Sequence, residues 1–227
     1  MKKKFYAELA YVLGLVILAF GTALMERADF GMSMVVAPAY ILHLKLRGVL
    51  QFFSFGMAEY CLQAVLIVAL CLVLRRFRLG YLFSFVTAVV YGLVLDLMMA
   101  IAASFPAGSF LARAVLFVLG ILLCSVGVAL LLRTYFAPEA YELVVKELST
   151  AMHKPIGGVK TVYDLVSLSL SVVLSFACFG WLHFEGVKLG TLITALVNGW
   201  IIGQISGWMD RNLETADLLP LRRYFTS

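Results

Sequence analysis

The residues of this chain that can do charge chemistry are few, and the sharpest of them sit inside or at the ends of apolar runs. Glu59 lies in FGMAEYCLQAVLIVAL and Asp164 in TVYDLVSLSLSVVL. A carboxylate in hydrocarbon is costly, so each is a candidate for function. Arg27 and Arg133 close two further apolar runs. A structural account treats each acid as a helix-start carboxylate near the headgroups, favoured by the helix dipole, and each arginine as a snorkelling anchor. A sharper account pairs Arg27 with Glu59 and Arg133 with Asp164, the pairs opening to bind a charged solute. An arginine beside a helix that begins at Pro138 tips that solute towards an anion. Asp96, late in its own run, and Asn198 and Gln204 near the end of the chain complete the candidate substrate-binding set. Asp96 suits the membrane interface as well as a site. Asn198 and Gln204 either hydrogen-bond across helices or line a path.

No Ser/His/Asp set, phosphate-binding loop or HExxH occurs, so the chain is not expected to be an enzyme or to energise itself with ATP. Cys61, Cys71, Cys124 and Cys178 lie in apolar runs without ligand spacing, and His43, His153 and His183 are scattered. They suggest buried thiols rather than disulfides, and no metal or cofactor is expected.

The elements that must position these residues are membrane helices. Of the 227 residues 63% are hydrophobic and 14% charged, with a mean hydropathy of +1.00. Soluble domains are about 45–50% apolar and about 25% charged. Six stretches reach the roughly 20 apolar residues that a bilayer crossing needs: 6–26, 53–74, 80–103, 111–133, 160–182 and 187–209. Two weaker stretches, Met32–Leu46 and Pro138–Met152, suit interfacial or half-membrane helices. With the N-terminus inside, thirteen of the 18 Lys and Arg fall on inner segments, RRFR at Arg75–Arg78 among them. Five, namely Arg27, Lys45, Arg47, Arg113 and Lys188, fall outside. This agrees with the positive-inside rule, and a seventh crossing by Met32–Leu46 would turn Arg75–Arg78 outward. The net charge of +5 is thus read as an orientation signal, not as a nucleic-acid surface. Both termini are expected on the cytoplasmic side of a bacterial inner membrane.

The first run, YVLGLVILAFGTALMERADF (Tyr11–Phe30), recurs as FVLGILLCSVGVALLLRTYF (Phe117–Phe136) at an offset of 106, with 8 of 20 positions identical. Gly14/Gly120, Gly21/Gly127 and Arg27/Arg133 are in register, which apolar composition alone does not arrange. Because the stretch recurs mid-chain, it is expected to be a retained first helix rather than a cleaved signal peptide. A weaker helix and two long runs follow in each half, with Glu59 and Asp164 early in corresponding runs. Three crossings per half force the second half to run opposite to the first. The expected architecture is therefore an all-α polytopic membrane protein of two inverted-topology repeats, 1–105 and 106–210, with a short cytoplasmic tail at 211–227.

The repeat residues also carry a resemblance. GTALMERADFGMS (Gly21–Ser33), GYLFSFVTAVVYGLVLDLMM (Gly80–Met99) and KLGTLITALVNGWIIG (Lys188–Gly203) resemble the YczE/YyaS/YitT-type bacterial integral membrane proteins. The resemblance extends over most of the chain. It implies a polytopic plasma-membrane protein of poorly defined activity and no particular substrate. The chain departs from that pattern where the family has Pro-x-Asp near Ser33: Met34-Val35-Val36 stand there, while the second half keeps Pro138 but follows it with Glu139.

Gly14, Gly21, Gly120 and Gly127 on the repeated helices, and Gly199, Gly203 and Gly207 at four-residue spacing near the end, are expected to pack helices closely. The last three would do so within the fold or in a homodimer. Inverted repeats are frequent in secondary transporters. The leading functional expectation is a carrier or facilitator for a small solute, its site between the halves. The alternatives are a substrate-capturing subunit of a larger uptake complex, with Ala19 and Ala23 as its contact stripe, and a non-transporting regulatory membrane protein.

Overall fold

The computed structural model describes residues 3–154, 156–180 and 187–218; His183 and the end of the expected tail lie outside them. Element order is β1 (Lys3–Tyr6), α1 (Ala7–Ala28), α2 (Ala37–Arg47), α3 (Phe55–Leu74), α4 (Leu79–Ala102), α5 (Phe110–Leu131), α6 (Ala140–Met152), α7 (Ile156–Phe179), α8 (Leu189–Asn212) and β2 (Leu213–Ala216). Six of these helices, all but α2 and α6, are long and apolar enough to cross a membrane. The protein is an all-α multi-pass membrane protein, and the six expected spans correspond to these six helices.

Long-range contacts fix the direction of each span. Arg113 at the start of α5 reaches Asp29 just past α1, so α1 ends where α5 begins. Lys188, capping α8, also pairs with Asp29. At the opposite end Arg133, just past α5, pairs with Asp210 near the end of α8. Lys3–Tyr6 and Leu213–Ala216 form a two-stranded parallel sheet at that same end. The start of the expected tail is therefore paired rather than free. We call the end holding the strands the near end and the other the far end. Spans α1, α4 and α7 run near to far, and α3, α5 and α8 run far to near.

The most extensive packing is between α1 and α5, the two helices of the sequence repeat. Their glycines set the approach. A Cβ at Gly21 would lie 2.8 Å from the carbonyl oxygen of Gly120, and one at Gly127 would lie 2.9 Å from that of Gly14. The helices therefore touch backbone to backbone at two levels, Gly21 against Gly120 and Gly14 against Gly127. Ala19 and Ala23, the stripe considered for an external partner, are fully buried in the core around this contact. Around this pair, α4 packs on α1 and α3, and α8 packs on α5. The short helices bridge the remaining spans: α2 touches α3 and α7, and α6 touches α3, α7 and α4. Outward faces carry exposed Leu72, Val73, Leu165, Leu196 and Trp200, as lipid-facing surfaces do.

A second close crossing, not anticipated, joins α3 and α4. A Cβ at Gly56 would lie 2.0 Å from the carbonyl oxygen of Gly92. By contrast, Cβ atoms at Gly199, Gly203 and Gly207 would meet nothing within 4 Å, so among the described residues nothing packs on this stripe.

The short helices begin later than the apolar pattern suggests. Residues 31–36 link α1 to α2, and in this link Gly31 has φ 114° and a Cβ would lie 2.6 Å from Thr191 Oγ1. That backbone angle and the close approach require glycine there. Pro38 then sits in the first turn of α2, where a missing N–H costs little. In the second half the helix starts at Ala140, and Glu139 is its N-cap. Pro138 is thus outside the first turn, its carbonyl accepting a hydrogen bond from Ser84 Oγ at 2.6 Å.

Candidate functional site

Helix α6 ends inside the bundle. Its first N–H, that of Ala140, donates to Gln63 Oε1 at 3.0 Å, and Gln63 is eight residues into α3. Near its other end Glu147 accepts from Arg76, Arg78 and Tyr81 at 2.7, 3.3 and 3.1 Å, at the near-end turn between α3 and α4. Its 13 residues span about 20 Å, against roughly 30 Å for a bilayer core. Helix α6 is therefore a half-membrane helix with its N-terminus at mid-depth, not an interfacial one. Thr87 and Ser84 of α4 satisfy the carbonyls of Ala137 and Pro138 as the chain climbs to that depth.

Around this N-terminus lies the main interior cluster of ionisable groups. Glu59 is fully buried. Its Oε2 accepts from Tyr141 Oη at 2.7 Å and, more weakly, from Gln63 Nε2 at 3.5 Å. Its Oε1 is buried and has no partner among the described residues, and the same holds for Oε1 of Glu139. The Glu139 side chain makes no capping bond to its own helix. Burial, reinforced by the Glu142 and Glu59 carboxylates, holds the Glu139 carboxyl well above the usual carboxylate range. The N-terminus of α6 opposes this by favouring negative charge, an effect of at most about 1–2 kcal/mol that does not offset the loss of water.

Asp164 of α7 lies beside this cluster, half-buried. It stands 3.7 Å from Lys160 Nζ, which is also 3.6 Å from Glu142. Glu59 and Asp164 thus border the same short helix, Glu59 deep and unpaired, Asp164 shallower and matched by a cation.

Neither arginine joins them. Arg27 Nε donates to the carbonyl of Phe105 at 3.0 Å, bracing the far end of α4. Arg133 donates to the carbonyl of Ser206 at 2.6 Å and to Asp210 Oδ1 at 2.5 Å, bracing the near end of α8. The expected pairs Arg27–Glu59 and Arg133–Asp164 do not form. Each arginine instead ties down the third long helix of its half, because both sit at the membrane-end turn of their helices, beyond reach of the buried acids. Asp96 has no free oxygen: Ser54 Oγ donates to Oδ2 at 2.5 Å and the Gly56 N–H to Oδ1 at 2.8 Å. It caps the N-terminus of α3 from the neighbouring helix. Asn198 accepts from the buried Ser125 hydroxyl at 2.7 Å, a bond across α5 and α8. Gln204 is exposed on α8.

Four participants escaped the sequence reading as site residues: Glu139, Gln63, Tyr141 and Glu26. Gln63 follows Glu59 by four residues in an otherwise apolar helix, which puts both on one face. Ala37-Pro38 precedes Tyr40, and Ala137-Pro138 precedes Tyr141. Both tyrosines donate to a glutamate, Tyr40 to Glu26 Oε1 at 3.3 Å and Tyr141 to Glu59. At the far end Glu26, Asp29, Tyr40 and Lys188 line a small cleft with Met25 and Met32. Lys188 and Arg113 both bind Asp29 at its rim.

Residues 5–207 match a family of unknown function, DUF6198, and the chain belongs to that family. No curated protein matches the chain. No solved structure matches it.

Proposed function

We propose that this member of a family of unknown function is a small-solute membrane transporter, a secondary carrier or facilitator, with its central site between two inverted halves. One observation carries the reading: a half-membrane helix presents its N-terminus at mid-depth beside two interior carboxylates, each with an oxygen that nothing satisfies. Broken or half-length helices at the midplane are how many carriers build a site from backbone that lipid would otherwise reject. The inverted arrangement is supported by packing. Exchanging α1–α4 with α5–α8 exchanges the Gly21–Gly120 level with the Gly127–Gly14 level. It likewise turns α2 against α7 into α6 against α3. Arg27 on the end of α4 becomes Arg133 on the end of α8. We take 1–105 and 106–210 as the repeat units. The near end is the cytoplasmic one, with Arg75, Arg76 and Arg78 on it.

The solute is a cation or an amine rather than the anion that the arginines suggest. Both arginines are committed to helix ends, and the unsatisfied interior groups are carboxylates. Purified protein reconstituted alone into liposomes should take up labelled small amines, and Glu59→Gln and Glu139→Gln should each lower uptake at least tenfold. Uptake unchanged in both variants would sink this site, and uptake of anions alone would reverse the sign. The YczE/YyaS/YitT-type resemblance and the bacterial inner membrane fit this reading.

A further inference from the structure

We propose that Glu59 and Glu139 together hold one exchangeable proton when no solute is bound, which makes H⁺ the coupling ion of an exchange with a cationic solute. This rests on the transport reading above, but the proton site is testable without transport.

The geometry is what leads there. Glu59 is fully buried, and its Oε1 has no hydrogen-bond partner; Glu139 Oε1 is equally shielded and unpartnered. Among the described residues neither carboxylate forms an ion pair with Lys, Arg or His. Nor does any group of three or more His, Cys, Asp or Glu there suit a metal ion. Two carboxylates buried at one helix N-terminus cannot both remain ionised without a compensating charge. A proton supplies it with no further ligands, and an O–H on either acid turns an unsatisfied acceptor into a donor.

Groups from every neighbouring helix face the pair. Helix α6 itself contributes Tyr141 and Glu142. From α7 comes Tyr163, beside Glu59; the cation Lys160 is shared between Glu142 and Asp164. From α1, α4 and α5 come Tyr11, Tyr91 and Cys124. None of these supplies a positive charge to Glu59 or Glu139. The balance of the step is simple. Water at one end delivers a proton, one O–H bond forms on the pair and one breaks in hydronium. An entering ammonium-type cation displaces that proton to water, so the charge in the site is the same before and after.

Infrared spectroscopy of the purified full chain, titrated from mildly acid to mildly basic, reads this directly. We expect a carboxylic-acid C=O band that persists at neutral pH, that Glu59→Gln and Glu139→Gln each move in frequency or in titration midpoint, and that the double variant loses, since the proton belongs to the pair. Asp164→Asn should retain it. Tyr141→Phe, which removes a donor to Glu59 without altering a charge, should shift the band rather than abolish it. Absence of the band in the unaltered protein, or a band untouched by both glutamine variants, overturns the proton site. A band of the expected behaviour in a protein that moves no solute upholds the proton site and defeats the transport reading alone.

Discussion

Glu59 accepts two hydrogen bonds on one oxygen and none on the other, and that asymmetry shapes what substitutions should do. Tyr141→Phe removes the shorter donor and leaves a buried oxygen without its partner, at a cost of about 1–3 kcal/mol. It should lower the thermal midpoint in detergent. Glu139 should impose a pH dependence. Its folded-state carboxyl holds a proton beyond the usual carboxylate range, so the folded state binds more protons than the unfolded one between the two values. Stability should therefore fall as pH rises through that window. Glu139→Gln should flatten the slope, and a slope unchanged by the substitution would mean that Glu139 ionises normally. The sequence made Glu59 visible because an acid stands out in an apolar run. Glu139 stayed hidden because it follows a proline in a polar-looking stretch, and only the climb of residues 132–139 into the bundle buries it.

At the scale of helices, the crossings should respond very differently to the same change. Gly21→Leu places a side chain where backbone atoms of Cys124 and Gly120 stand 2.7–2.8 Å from the first carbon. It should destabilise the fold by at least about 1–3 kcal/mol, and Gly92→Leu should behave alike at the α3–α4 crossing. Gly203→Leu meets nothing within 4 Å and should leave the thermal midpoint of the monomer where it was. If it also lowers a dimer fraction, that stripe serves contact between copies. Hydropathy marked the six spans well, because span length is dictated by the bilayer. It could not separate a half-membrane helix from an interfacial one: α6 has the polarity of either, and its depth is set by Gln63 at its start and by Arg76, Arg78 and Tyr81 around its Glu147, all far away in sequence. The Arg27 and Arg133 pairings failed for a related reason. Register in the repeat says that two residues do the same job, but not which neighbour they do it with.

For the whole molecule, alternation of the spans predicts sidedness. Single cysteines near Arg76 and Lys154 should react with an impermeant reagent from one face of the membrane, and those at Lys45 and Gly108 from the other. Labelling of all four from one face would break the six-span topology. The parallel pairing of Lys3–Tyr6 with Leu213–Ala216 adds something of a different kind. It brings the two extremities of the bundle together, so the path of the chain is nearly a closed ring. Because the strands are parallel, joining Ala216 to Lys3 takes a crossover of about a dozen residues rather than a tight turn. With that linker the ring could be cut instead between α4 and α5, and the half that is normally made second would be translated first. A cell would then insert α5 as the leading helix, carrying Arg113 rather than Lys2–Lys4 as its first positive charge. Whether such a rearranged chain still enters the membrane the same way up would separate what the folded bundle dictates from what the order of synthesis dictates.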